Sequence, residues 1–287
     1  MRYRWCAAFP LALIPLTGSA QQMLSVGERP IVSPDGRRIV FESKRDSASD
    51  LYVMNMDGSN VRRLTSWAGG KGVAGWLSSE RVAIALMASD GTGTLYSVPL
   101  DRDERAVLAR FHGAGVRVTH DGSTLVFGEM PWQTMQLYAS ALDGSNRRRL
   151  TPGTAAYYCS AISPDDRYVA TSRSDSGQIQ VWLVSLADTT RRQLTHFSTA
   201  EGNAQCPSWS PDGSRLAVQS DVFDKADPKK TSSHIWIVDV ATGAATKLGA
   251  HSAPYQDELP SWFPDGKRIA FQSNRSGRWE IWITTTP

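Results

Sequence analysis

A sequence motif that recurs six times, at a period of about 40 to 50 residues, limits the possible folds of this chain more than any other feature. The clearest copies read SPDGRRIVF (33–41), SPDGSRLAV (210–218) and FPDGKRIAF (263–271). Short strands and tight turns that recur at this period are the signature of a β-propeller, in which each repeat forms one four-stranded blade. The repeat therefore predicts an all-β ring of blades around a central channel.

Each copy divides into four strands, A to D. The Pro-Asp-Gly turn joins strand A to strand B, because proline presets φ and the next two residues accept a tight return. Strand B is apolar on both faces, as expected for a sheet packed between two other sheets. Strand C carries one aromatic residue in every copy, which we expect to pack between blades. These aromatics are Tyr52, Tyr96, Tyr138, Trp182, Trp236 and Trp282.

The count of repeats predicts a six-bladed β-propeller of antiparallel blades in a single domain, residues 21–287. The predicted blades are 29–65, 72–109, 114–151, 157–195, 204–249 and 258–287. The sixth copy has no strand D, and a strand-like stretch at 22–27 precedes the first copy. We expect this N-terminal strand to complete the last blade, because closure removes an exposed sheet edge.

Residues 1–20 have the pattern of a signal peptide. Arg2 and Arg4 form a basic start, an apolar run follows, and small residues at 18–20 precede a cleavage point before Gln21. The apolar run is too short to span a bilayer, so no transmembrane segment is expected. The predicted location is periplasmic or secreted. Without the leader the formal charge falls from +3 to +1, which argues against a nucleic-acid partner.

Cys159 and Cys206 occupy the same strand A position in adjacent predicted blades, each six residues before its turn aspartate. Export makes a disulfide chemically permissible. A bridge also needs Cα atoms within about 7 Å, and inner strands of neighbouring blades often stand farther apart. Cys159–Cys206 is therefore a candidate disulfide, and the favoured alternative is that the two cysteines are small apolar side chains near the channel mouth.

The loops divide by face. The A–B and C–D turns are short and uniform, whereas the B–C and D–A loops of the opposite face vary in length, as binding loops do. We call this second side the loop-bearing face. Polar and aromatic residues at or before the start of strand A are the predicted partner-binding residues. They are Arg29, Arg117, Tyr157, Tyr158, His196, Glu201, His251, Tyr255, Asp257 and Glu258.

The phrases PSWSPDG (207–213), RLAVQS (215–220) and PSWFPDG (260–266), with the pair Ile281-Trp282, resemble the WD-like repeat of the TolB propeller family. The resemblance covers essentially all of residues 21–287. It implies a periplasmic propeller of the Tol–Pal envelope type, in which the loop-bearing face and channel mouth bind the peptidoglycan-associated lipoprotein. TolB carries an α/β domain before its propeller, whereas this sequence passes directly from the leader to the first blade, so we expect a propeller alone.

The sequence therefore predicts a monomeric, non-enzymatic module that docks a periplasmic protein or peptide, such as an outer-membrane lipoprotein, without a cofactor or metal. It contains no G-x-S-x-G, H-E-x-x-H, C-x-x-C or glycine-rich phosphate loop. The alternative function is a metal-dependent polysaccharide lyase or hydrolase, because propellers with similar repeats include lyases of acidic sugars. His196, His251 and Glu201 would be its metal ligands. They lack ligand spacing, and hydrated loop residues are the simpler interpretation.

Overall fold

The computed structural model describes residues 21–46, 48–102, 104–175, 177–222, 231–249 and 255–287. These residues form six antiparallel sheets of four strands each, which confirms the predicted six-bladed β-propeller. Within the described ranges the only helix is a short 3₁₀ turn, Trp132–Thr134. The predicted leader, 1–20, lies outside the described residues.

The first three blades each run from an inner strand A to an outer strand D. Blade 1 consists of β2 (Glu28–Val32), β3 (Arg38–Asp46), β4 (Ala48–Asn55) and β5 (Arg62–Arg63). Blade 2 consists of β6 (Gly70–Ser78), β7 (Arg81–Met87), β8 (Thr92–Pro99) and β9 (Ala106–His112). Blade 3 consists of β10 (Ala114–Val118), β11 (Thr124–Glu129), β12 (Gln136–Ala141) and β13 (Arg148–Arg149).

The remaining blades keep this order, and the last one borrows its outer strand. Blade 4 consists of β14 (Ala156–Ile162), β15 (Tyr168–Asp175), β16 (Gln178–Ser185) and β17 (Arg191–Gln193). Blade 5 consists of β18 (Asn203–Trp209), β19 (Arg215–Val222), β20 (Ser232–Asp239) and β21 (Ala245–Lys247). Blade 6 consists of β22 (Asp257–Trp262), β23 (Arg268–Ser273), β24 (Glu280–Thr285) and β1 (Gln22–Val26).

The ring closes through the N-terminal strand, as predicted. Strand β1 pairs antiparallel with β24, from Gln22 opposite Ile283 to Val26 opposite Glu280. The sheet order is therefore β1-β24-β23-β22, in which the two ends of the propeller share one blade. This closure covers the edge of β24 that the C-terminal strands alone would leave open.

The core lies between the blades. In strand β7 the fully buried side chain of Ile84 packs in a cluster with Val40 of blade 1, while Ala83 packs in a cluster with Leu125 of blade 3. Successive side chains of a strand point to opposite faces of its sheet. Each central strand thus buries both faces, which explains the near-continuous apolar sequence of strand B.

Arginines of the outer strands tie neighbouring blades together. A guanidinium nitrogen of Arg148 in β13 donates to the carbonyl of Leu186 in blade 4, and one of Arg192 in β17 donates to the carbonyl of Val240 in blade 5. The basic runs on these strands therefore have a role in packing as well as in covering the sheet edge.

Within the described ranges, no helix has the length and apolar character that crossing a membrane requires.

Candidate functional site

The inner strands share a backbone feature near the loop-bearing face. At the position six residues before the turn aspartate, five blades place a residue in the left-handed region, at φ of 49 to 60°. The residues are Arg29, Gly115, Cys159, Cys206 and Leu259. At each of them the pairing of strand A with strand B shifts register, which marks a β-bulge. Bulges re-aim neighbouring side chains, so these positions shape the mouth of the central channel.

Side chains of the preceding blade hold three of these bulges. The amide of Arg29 donates to Gln272 Oε1 at 2.9 Å. The amide of Leu259 donates to Gln219 Oε1 at 3.2 Å. In the same way the amide of Cys206 donates to a side-chain oxygen of blade 4, Ser172 Oγ, at 3.0 Å.

The three acceptors occupy the same repeat position, the residue directly after the large-small-large run of strand B. An unusual left-handed backbone is thus stabilised by hydrogen bonds that cross between blades. The result is a mouth whose geometry is fixed across blades 4, 5, 6 and 1.

Two carboxylates belong to this network. Glu258 accepts hydrogen bonds from Ser233 Oγ at 3.1 Å and from Gln272 Nε2 at 3.0 Å. Asp221 is 8% exposed and accepts from Gln219 Nε2 at 2.8 Å and from the side-chain amide of Gln205. Burial raises the pKa of Glu258 above its ordinary value, and the negative charges of Asp221 and Glu28 raise it further.

Positive charge also reaches the mouth. Arg29 Nε lies 3.7 Å from Glu42 Oε2 in an ion pair whose arginine side chain is 62% exposed. Burial raises the pKa of Glu42, and the charge of Arg29 opposes that rise. Arg117 is half-buried and donates from Nε to the carbonyl of Ser160 at 2.8 Å. Burial lowers the pKa of Arg117, as does the charge of Arg29. The mouth therefore presents both signs of charge.

Replacing Glu258 with glutamine should stabilise the protein at pH 7, because an amide of the same shape carries no charge to desolvate. The pKa of Glu258 in the folded chain lies above its ordinary value of 4.5. The stabilising contribution of the Glu258 carboxyl to the free energy of unfolding is therefore complete below pH 4.5. It is lost as the pH rises through the pKa of the folded chain. We expect the melting temperature of the wild type to fall relative to that of Glu258→Gln as the pH rises from 4 to 8.

The matched control is Glu201→Gln. Hydrogen bonds from the amide and hydroxyl of Ser198 lower the pKa of Glu201, so this substitution should have the opposite sign and slightly destabilise the protein at pH 7. If the difference in melting temperature between Glu258→Gln and the wild type stays constant from pH 4 to 8, the expectation for Glu258 is contradicted.

Four of the predicted partner-binding residues lie at or beside the bulges: Arg29, Arg117, Tyr158 and Glu258. Two others, Tyr157 and Asp257, are buried. Tyr157 is 0% exposed and packs in the core between blades 3 and 4. Asp257 is 3% exposed and accepts hydrogen bonds at 2.7 Å on both oxygens from Arg275 Nη2.

Three of the remaining predicted residues, His196, Glu201 and Tyr255, lie in loops. His196 is exposed, while Glu201 is bonded within its own loop to Ser198. Tyr255 is half-buried beneath the guanidinium of Arg275, whose carbon lies 4.8 Å from the ring centre. His251 lies outside the described residues. Among the described residues, no three His, Cys, Asp or Glu side chains come together in an arrangement that could hold a metal ion.

Six further residues of the mouth are not among those predicted from the sequence: Glu28, Glu42, Gln205, Gln219, Asp221 and Gln272. A signal for three of them was present, since Glu42, Gln219 and Gln272 each directly follow the large-small-large run within strand B. A polar residue at this repeated position, after three apolar ones, indicates a side chain that reaches the inner strand of the next blade, close to the channel mouth.

The two inner-strand cysteines form a disulfide, with Cα atoms 4.8 Å apart. The bridge that the sequence left open therefore forms: the inner strands of blades 4 and 5 lie close enough at their bulges to be linked. The bridge therefore fixes one side of the mouth covalently.

Residues 125–286 match the family described as the TolB beta propeller domain. The Tol-Pal system protein TolB of Anaeromyxobacter dehalogenans is 28% identical over 129 residues, which is 45% of this chain and 27% of that protein. The chain spans about half or less of the length of the curated relatives that it matches.

Solved structures share the architecture. TolB from Acinetobacter baumannii has a TM-score of 0.68 at 17% identity, over 89% of this chain and 65% of that one. An oligogalacturonate lyase from Vibrio parahaemolyticus has a TM-score of 0.61 at 14% identity, over 92% of this chain and 91% of that one. At such identities these likenesses concern the fold alone.

Proposed function

The chain belongs to the TolB β-propeller family, and on this basis we propose that it is a binding module, without catalytic activity, that docks a protein or peptide on its loop-bearing face. The observation that carries the proposal is the channel mouth, where cross-blade hydrogen bonds hold successive bulges in place. A surface that is already ordered loses little conformational entropy when a partner binds. Charges of both signs at the mouth suit a polar protein surface.

The proposal includes a periplasmic or secreted location and an envelope protein as partner, such as an outer-membrane lipoprotein. Similarity to the Tol-Pal system protein TolB supports this class of partner. The partner would contact Arg29, which is the most accessible charged group in the network described above.

Affinity capture with residues 21–287 from an envelope extract tests the proposal, with bound proteins identified by mass spectrometry. Replacing Arg29 with glutamate should reduce recovery of the partner about tenfold or more, because a reversed charge at the mouth opposes the approach of a complementary surface. Arg37→Glu is the matched control, since Arg37 is exposed in the A–B turn of the same blade on the opposite face. Equal recovery by the two variants, or no partner with the wild type, would count against the proposal.

A polysaccharide lyase or hydrolase is the second candidate function. The raised pKa of Glu258, a candidate proton donor, favours it, and a propeller of the same fold occurs in the oligogalacturonate lyase of Vibrio parahaemolyticus. Of the predicted metal ligands that the structure describes, Glu201 is bonded to Ser198 and His196 is exposed, and neither supports a metal site. Metal content of the purified protein and a screen with acidic sugars separate the two functions.

A further inference from the structure

Blade 2 differs from the others at its outer edge. The outer strands β5 and β13 have two residues each, and β17 and β21 have three. Strand β9 has seven, Ala106–His112. No strand of the described chain pairs with its outer side, since β9 ends the order β6-β7-β8-β9. A long unpaired edge is a template for an added strand, and proteins usually keep such edges short.

The backbone groups of this edge point outward at known positions. The amide of Gly113, just beyond β9, points toward the β7–β8 side and donates to the carbonyl of Gly91 at 3.0 Å. The carbonyl of Thr92 in β8 faces β7, where it accepts from the amide of Ala88 at 2.9 Å. Backbone groups alternate between the two sides of a strand, so the amides of Arg110 and His112 face away from β8. Within the part of the chain that the structure describes, neither amide has a backbone partner, so both could donate to a strand placed alongside.

A cavity of about 820 Å³ lies next to these residues. Its wall includes Ala68, Gly69, Leu86, Thr94, Arg110 and His112, and it contains no aspartate or glutamate. The side chains of Arg110 and His112 are exposed and, two positions apart on a strand, lie on the same side of the sheet. The cavity therefore combines an apolar floor with two nitrogen-bearing side chains that would receive a carboxylate.

Other groups along β9 fit the same occupant. Val107 is 56% exposed and offers an apolar contact. The guanidinium of Arg105 stacks 4.4 Å above the ring of Trp67, at the other end of the strand. Asp90, in the turn that follows β7, accepts hydrogen bonds from the amide and hydroxyl of Thr92 at 2.9 and 2.6 Å, and its charge also interacts with His112.

We propose that the outer edge of β9 and the adjoining cavity form a second docking surface, separate from the channel mouth, that binds an extended acidic segment of a protein partner as a fifth strand of blade 2. Backbone hydrogen bonds to the amides of Arg110 and His112 supply affinity. Alternate side chains of the added strand point to one face, so an Asp or Glu at every second position reaches the cavity and selects for acidic sequences.

Selection from a phage library of random twelve-residue peptides tests this surface. On the wild type, residues 21–287, we expect enrichment of peptides with Asp or Glu at alternate positions. A synthetic peptide of the enriched sequence should bind Arg110→Glu at least about tenfold more weakly, because the charge that selects the acid is reversed. Arg110→Pro should abolish binding, since proline removes the outward amide while leaving the β8–β9 ladder intact.

Two controls make the result decisive. Arg29→Glu, at the channel mouth, should bind the peptide as the wild type does, which separates this surface from the proposed function. Hydrogen exchange should show the amides of Arg110 and His112 protected when the peptide is bound. If Arg110→Pro does not fold, the affinity of Arg110→Glu decides. A selection without enrichment, a peptide that binds Arg110→Glu and wild type equally, or a peptide lost with Arg29→Glu would overturn the proposal.

Discussion

Replacing both Cys159 and Cys206 with serine should lower the free energy of unfolding by about 4 kcal/mol in the chain-entropy account of disulfides. The bridge spans 47 residues, so its loss frees a long loop of the unfolded chain. For a domain of this size such a loss lowers the melting temperature by roughly 10 °C. Urea denaturation at pH 7 measures the free energy, and thermal denaturation measures the shift.

Two comparisons check the cause. Wild-type protein treated with a thiol reductant should lose the same stability, whereas the serine variant should not respond to reductant. The variant should also capture its partner less well, because the bulges at both cysteines shape the channel mouth. Equal unfolding free energies of variant and wild type would contradict a structural role for the bridge.

Removing strand β1 should have an effect of similar or larger size. A chain that begins at Gly27 loses four cross-strand pairs with β24, at about 1 kcal/mol for each net hydrogen bond, and exposes the edge of that strand. We expect a lower melting temperature and association that grows with protein concentration, because an open apolar edge recruits other strands. Thermal denaturation and light scattering measure the two effects.

The matched control is Met23→Ser in the full-length strand. Met23 is 44% exposed, so this variant removes an apolar side chain from β1 without removing the pairing, and its stability should stay close to that of the wild type. A truncated chain that is monomeric and melts with the wild type would show that closure by β1 is dispensable.

The turns and the number of blades could be predicted because their determinants are local. In the first repeat Asp35 Oδ1 accepts hydrogen bonds from Ser33 Oγ at 2.6 Å and from the amide of Arg37 at 3.0 Å, while Gly36 adopts φ of 69°. All four residues are neighbours in sequence, so the motif itself specifies the turn. Ring closure followed from counting strands, since the sixth repeat is one short.

The site could be predicted only in part, because its side chains are sorted by the bulges. Tyr157 and Tyr158 are adjacent and chemically alike, yet the first is fully buried and the second half-exposed. A register shift of one residue exchanges the faces of a strand, and the sequence of β14 does not mark where the shift falls. Strand β9 is similar: nothing in its composition distinguishes a seven-residue outer strand from the shorter ones.

The order of residues is thus enough to predict the architecture: six repeats, their turns, their two-sided apolar strands and the strand that closes the ring. Which polar groups meet at the mouth, and whether the two cysteines bond, depends on how the blades are placed in the assembled ring. Gln272 and Arg29 are 243 positions apart, and their hydrogen bond exists because closure makes blade 6 the neighbour of blade 1. The residues of one repeat specify the contacts within that repeat. The hydrogen-bond partners of a bulge residue belong to another blade, so their distance depends on how the blades pack in the ring.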